Sequence, residues 1–223
     1  MSFPAFFDRI PPLTLHDALA EVLGAAADGI IEYRYGDAVR LAGHSCPTVA
    51  GAWLMARGAL HALYPEAIPE RGNIRVELRA GQDAGTAGVV GGVLGLITGA
   101  AGEGGFKGLG GRHVRRSLLD YGVDMPAEAR FTRLDTGDSV LVVYRAEAVP
   151  PAAEMQVLLP RVLNGQADAG ERSEFARLWQ ERVQRILLQH ADDPALLRIW
   201  SEAEEATAAA VQVGLSRTWS APT

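Results

Sequence analysis

The chain has one cysteine, Cys46, in 223 residues. That scarcity excludes a disulfide framework, an all-cysteine zinc site and an iron–sulfur cluster held by this chain alone. A basic excess is also missing. The net charge is −6, and neutralising nucleic-acid phosphates requires clustered Lys and Arg, so no nucleic-acid partner is expected. The first residues, 1–9, have no basic region ahead of an apolar core, which argues against a secretory signal and makes the cytoplasm the expected compartment. The uncharged stretch 84–102 is rich in Gly and Ala and poor in large apolar residues. It suits close packing inside a protein better than a lipid-facing span, so no membrane is expected either. Two phosphate-binding patterns are absent: no G-x-x-x-x-G-K-[ST] occurs, and no G-x-G-x-x-G follows a strand.

What is present is apolar content of 48% and 25 glycines, thirteen of them between Gly81 and Gly111. Apolar content at that level supports a folded core. Thr14 with Asp17 reads as a capping box, predicting a helix over 15–23 with Leu15, Leu19, Val22 and Leu23 on its apolar side. Residues 30–35 read as extended. Pro47 suits the first position of a helix continuing to Leu63, which puts Cys46 at or beside its N-cap. Residues 73–79 alternate strictly and predict a strand. A helix is predicted over 84–97, with Gly88, Gly92 and Gly95 forming a bare face that another backbone can approach. From 99 to 111 glycine is too dense for a helix and predicts a loop. Residues 112–121 read as a helical turn, and 129–134 with 140–144 as a hairpin. Beyond Pro150-Pro151, residues 175–187 predict an amphipathic helix, Asp193-Pro194 starts another, and the tail from 215 reads as loose.

His44-Ser45-Cys46 supplies a nitrogen and a sulfur two positions apart at a helix start, where unpaired N–H groups favour a thiolate. Three readings are open: a metal-ligand pair, a buried inert cysteine beside a structural histidine, and a Cys–His dyad for which no orienting carboxylate can be assigned. A metal needs further donors, and His16, Asp83, Asp37 and His113 are candidates by residue type. His61 lies more than three turns along the helix, too far to share that site. His190 reads as a favourable charge at a helix C-terminus. The loop around Lys107 could wrap an anion with backbone N–H groups, and the basic run 112–116 could steer one toward it.

In order and spacing, Gly43-His44-Ser45-Cys46-Pro47 followed by Gly51 resembles the G-H-x-C-P-G signature of the FmdE-like family of formylmethanofuran dehydrogenase subunits. Asp83-Ala84 and Thr98-Gly99 resemble its downstream D-A and T-G pairs, and Gly105-Phe106-Lys107-Gly108-Leu109 resembles its glycine–lysine–glycine stretch. The resemblance covers about residues 14–144. It implies an α+β fold with a helix-strand-helix-three-strand core and a mixed sheet, similar to the catalytic domain of glyceraldehyde-3-phosphate dehydrogenase. It further implies zinc held by His44 and Cys46 with Asp83 nearby, and a homodimer. His16 is the expected third metal ligand, and Gly105, Lys107 and Gly108 the expected cofactor-binding residues.

Where many members carry two further cysteines, this chain has Gly81 and Ala100, so paired-thiol redox chemistry is not implied. The expected organisation is an FmdE-like metal-binding domain over 1–149 with a helical extension over 150–223 packed on it. The expected function is a zinc-binding protein whose site is open to water or a small-molecule ligand, accessory to one-carbon or oxidoreductase metabolism. The alternative is a non-enzymatic metal carrier, sensor or interaction subunit that docks through its C-terminal helices.

Overall fold

The computed structural model describes residues 3–202, so the tail expected to be loose lies outside the described residues. In chain order the elements are β1 (Leu13–His16), α1 (Ala18–Val22), β2 (Ile30–Tyr33), α2 (Tyr35–Ala42), α3 (Pro47–Leu63), β3 (Ile74–Leu78) and α4 (Ala87–Thr98). They continue with β4 (Leu119–Tyr121), β5 (Ala129–Arg133), β6 (Ser139–Tyr144), α5 (Met155–Leu163), α6 (Ala169–Gln184) and β7 (Leu197–Ser201). β1 and β2 form an antiparallel ribbon, and the other strands form one sheet in the order β4-β3-β5-β6-β7. Only β3 and β4 run parallel, as their connection through α4 requires. The fold is α+β with a mixed sheet, and α3-β3-α4-β4-β5-β6 is a helix, a strand, a helix and three strands.

The alternation in β3 works as anticipated: Ile74, Val76 and Leu78 are buried, while Arg75 is exposed. Each such buried aliphatic side chain contributes about 1.5–3 kcal/mol. α3 is the central element, with eleven of its 17 residues buried, so it is a core helix, not a surface one. Two glycines let it lie directly on the sheet. Gly51 and Gly58 are seven residues apart, hence on one face, and a Cβ at either would run into a sheet side chain, the Tyr144 ring of β6 or Ile199 of β7. In α4 the close approaches fall at Gly91, against the Tyr121 ring, and at Gly95, where a Cβ would lie 2.7 Å from the Ala100 carbonyl. Gly92, expected on the bare face, is exposed with only Leu41 near it.

Three local expectations need correction. Residues 15–23 are not one helix. Leu13 and Leu15 alternate inward on β1, and Asp17, not Thr14, is the N-cap of the short α1, its carboxylate accepting from the N–H groups of Leu19 and Ala20 at 3.0 and 3.1 Å. Val22 and Leu23, assigned to an apolar face, are more than 60% exposed. Residues 112–121 end in β4, not in a helical turn, because His113 and Ser117 take left-handed backbone angles that break helical continuity. Asp193-Pro194 opens a tight turn into β7. The Asp193 side chain accepts from the Ala195 N–H, and the chain then alternates, Ile199 toward α3 and Trp200 opposite Leu141 on the other face.

The C-terminal segment thus supplies helices and also the last strand of the sheet. α5 lies outside every expected helix, and Pro160 within it obscures its period. Among the described residues no helix is long and apolar enough to cross a membrane.

Candidate functional site

The segment 43–47 is a turn between two helices, and each residue in it has a physical reason. Gly43 closes α2 in the left-handed conformation, φ 77°, with its N–H on the Val39 carbonyl. Cys46 is the N-cap of α3, as expected: its Sγ accepts the Val49 N–H at 3.4 Å, and Pro47 follows at the first helical position. Four side chains clamp the turn. Tyr35 bonds the Ser45 hydroxyl at 3.0 Å, Trp179 and Gln180 of α6 both donate to the Ser45 carbonyl at 3.0 and 3.1 Å, and the Tyr144 hydroxyl donates to the Pro47 carbonyl at 2.9 Å. Burial pushes the Tyr35 and Tyr144 phenols well above their ordinary range, so both stay neutral. None of these four partners is legible in the sequence: Trp179, Gln180 and Tyr144 reach the turn from distant elements, and Tyr35 from the start of α2, ten residues before Ser45. The aromatic residues of α6 show there only as its apolar stripe.

The two residues of the motif face different surroundings. Cys46 is buried, whereas His44 is exposed with Nδ1 bonded to the Ala42 carbonyl at 2.9 Å, which leaves Nε2 free. His16, expected as a third ligand, is engaged elsewhere. Its Nδ1 sits 2.8 Å from both Glu70 oxygens and its Nε2 3.2 Å from Glu21, and the Glu70 bond chiefly raises its pKa. Asp83 is exposed in the loop before α4. Among the described residues no three His, Cys, Asp or Glu side chains converge to hold a metal ion. The donors among the described residues therefore do not complete the three-ligand zinc site expected from His44, Cys46 and His16.

Gly105 and Gly108 have packing reasons to be glycine. A Cβ at Gly105 would fall 2.6 Å from that of Ala101, and one at Gly108 would strike the Arg112 carbonyl. Residues 109–112 close a two-residue hairpin turn, with Gly110 and Gly111 both at positive φ and the Leu109 and Arg112 backbones bonded to each other at 2.8 and 3.0 Å. Those N–H groups are committed to the turn, and Lys107 is exposed beside it.

What the motif does adjoin is a cavity of about 340 Å³ between the first turns of α3 and α4 and the end of β3. Its lining includes the apolar Ala52, Met55, Leu78 and Val90, and its polar groups come from Thr48, Thr86, Arg79, Glu128, Tyr144 and Glu147. Tyr144 is thus both cavity wall and clamp of the Cys46 turn. Glu128 is held in place by accepting the Tyr144 N–H at 3.0 Å. Thr86 is the N-cap of α4, and its side chain makes no capping bond.

A second polar assembly surrounds Asp17. Its buried carboxylate accepts from Arg71 Nη1 at 2.8 Å and from Arg115 Nη2 at 2.7 Å, beside the two capping N–H groups. Burial alone would raise the Asp17 pKa, but these partners outweigh it and hold the carboxyl below its usual range. In the sequence Asp17 shows only as the third residue of a capping box, and Arg115 only as part of a basic run. No family model and no curated protein matches this chain.

Proposed function

We propose that this chain is an FmdE-like small-molecule-binding protein of the cytoplasm that holds its ligand in the cavity between α3, α4 and β3. The observation that carries the reading is the cavity itself, whose volume of about 340 Å³ falls at the lower end of the roughly 300–1,000 Å³ of small-molecule sites. An apolar lining with a few polar and charged groups suits a ligand with an apolar body and a hydrogen-bonding end. The family part of the reading is supported by the order of the motif residues and by their clustering. Gly51 seats the Tyr144 ring that lines the cavity, and Ala84 lies on the cavity wall beside Asp83.

Ala84 is exposed and on that wall, so Ala84→Trp plugs the cavity without disturbing the core. Mass spectrometry of the small molecules released on denaturing the purified protein should find a ligand in the wild type and none in Ala84→Trp. If the same molecule is retained by both, or if no metabolite in a thermal-shift screen stabilises the wild type, the reading fails. A second reading, an interaction subunit, is favoured by α5, whose Val157 and Leu163 are 65% and 75% exposed. Under that reading Val157→Glu abolishes partner binding and leaves ligand retention intact.

A further inference from the structure

The wall of the α3 cavity carries charges of both signs that do not neutralise each other. Arg79, Glu128 and Glu147 all line it, and among the described residues none of the three makes an ion pair. Arg79 and Glu128 are neighbours at the end of the β3–β5 ladder, the Arg79 N–H donating to the Glu128 carbonyl at 3.0 Å. Opposite charges at facing positions of two strands stabilise each other when they pair. Here they do not pair: the Glu128 carboxylate turns one oxygen to the Tyr144 N–H at 3.0 Å, and Arg79 is exposed with no side-chain partner among the described residues. Glu147 comes from the short helical turn Ala146–Ala148 after β6 and is also exposed. Burial chiefly raises the Tyr144 phenol, and the negative charges of Glu128 and Glu147 add to the rise, so both carboxylates lie within electrostatic reach of the same ring on the cavity wall. Arg182, which acts on that phenol in the opposite sense, is bonded to the Ala146 and Val149 carbonyls and is not part of this wall.

Taking this cavity as the ligand site, as above, we propose that its ligand is an apolar α-amino acid, with the ammonium group bound by Glu128 and Glu147, the carboxylate by Arg79, and the side chain on Met55, Leu78 and Val90. Hydrogen bonds between opposite charges are the strong ones, and a guanidinium matches a carboxylate in shape as well as in sign. A ligand with both charges satisfies the whole wall. A plain amine leaves Arg79 unpaired, and a plain carboxylic acid leaves both glutamates so.

The test is isothermal titration calorimetry of the dialysed protein with L-leucine and L-phenylalanine and, for each, the amine that lacks its carboxylate and the acid that lacks its ammonium group. One saturable site per chain is expected for at least one of the amino acids, with its amine and its acid each about tenfold weaker or more. Arg79→Gln should weaken the amino acid about tenfold and leave the amine within about twofold. Glu147→Gln should weaken the amino acid and the amine by about threefold or more and leave the acid no weaker. Both variants change exposed side chains, so folding is retained, and Arg75→Gln, an exposed position outside that wall, should leave every affinity within about twofold. No saturable binding of either amino acid, an amine or acid that binds as tightly, or affinities unchanged in Arg79→Gln and Glu147→Gln overturns the amino-acid assignment. Ala84→Trp separates that failure from failure of the cavity reading. Amino-acid binding that survives the plug overturns both, whereas a released molecule without both charges that is lost from Ala84→Trp overturns the ligand class and keeps the cavity as the site.

Discussion

The Cys46 turn and the Asp17 assembly fasten the chain by opposite means. Around Cys46, neutral donors from Trp179, Gln180 and Tyr144 reach main-chain carbonyls, so the turn is held without a buried charge. Around Asp17, one buried carboxylate holds two arginines from distant parts of the chain. Neutral clamps are individually worth little and fail gradually. A buried ion triad is worth little in net terms when complete, yet costs heavily when one member is removed, because the remaining charge stays buried. Damage to the two regions should therefore differ in size and in pH dependence.

The largest effect is expected at Asp17. Asp17→Asn leaves Arg115 buried beside Arg71 without an anion and should cost about 3–5 kcal/mol in urea denaturation, far more than any single clamp. A loss below about 1 kcal/mol would place the Asp17 region in the same class as the neutral turn. Next comes Gly51→Ala, whose new methyl group collides with the Tyr144 ring. It should cost about 1–3 kcal/mol and also reduce ligand retention in the α3 cavity, since Tyr144 lines it. Tyr144→Phe keeps the ring and loses only the bond to Pro47, so the expected loss is about 0.5–1.5 kcal/mol.

Two neighbouring groups at the end of β1, Asp17 and His16, respond to pH in opposite directions. Asp17 has a lowered folded pKa, so its contribution is present at neutral pH and is lost as pH falls below about 4. His16 has a raised folded pKa, so its contribution is full below about pH 6.5 and is lost as pH rises through the raised value. The stability difference between wild type and His16→Gln should therefore be largest near pH 5–6, at about 0.5 kcal/mol for a partly exposed pair, and shrink above pH 7. A difference that grows with pH would contradict the assigned pairing with Glu70. The smallest expected effect is on metal content. With no third donor beside His44 and Cys46 among the described residues, elemental analysis should give the same zinc content for wild type and Cys46→Ser. A zinc lost with Cys46 would restore the metal reading.

Much of the fold is legible in the sequence because the relevant signals are local. The alternation of Ile74, Val76 and Leu78, the Pro47 helix start and the hairpin at 129–144 depend on neighbours within a few residues, and all three appear. The N-cap position of Cys46 is legible for the same reason. The elements that sequence misleads on turn on distant partners. Leu197–Ser201 becomes a strand because β6 offers a ladder and Gly58 receives Ile199. His16 looks like a spare metal ligand because nothing nearby in sequence announces Glu70, 54 residues away. The clamps on the Cys46 turn are invisible for that reason too, as is Arg115, which a basic run disguises as a solvated residue.

The last strand bears on how the chain can be cut. A protein ended at residue 149, where the Pro150-Pro151 pair invites a boundary, would leave the whole length of β6 with unpaired N–H and C=O groups along Val140–Tyr144, an apolar run. Such an open edge recruits other strands, including copies of itself. The 150–202 segment is therefore more than an appendage. By covering that edge with β7 it acts as a built-in safeguard against self-association through the sheet, and a truncated form should aggregate while the rest of its core is still able to fold.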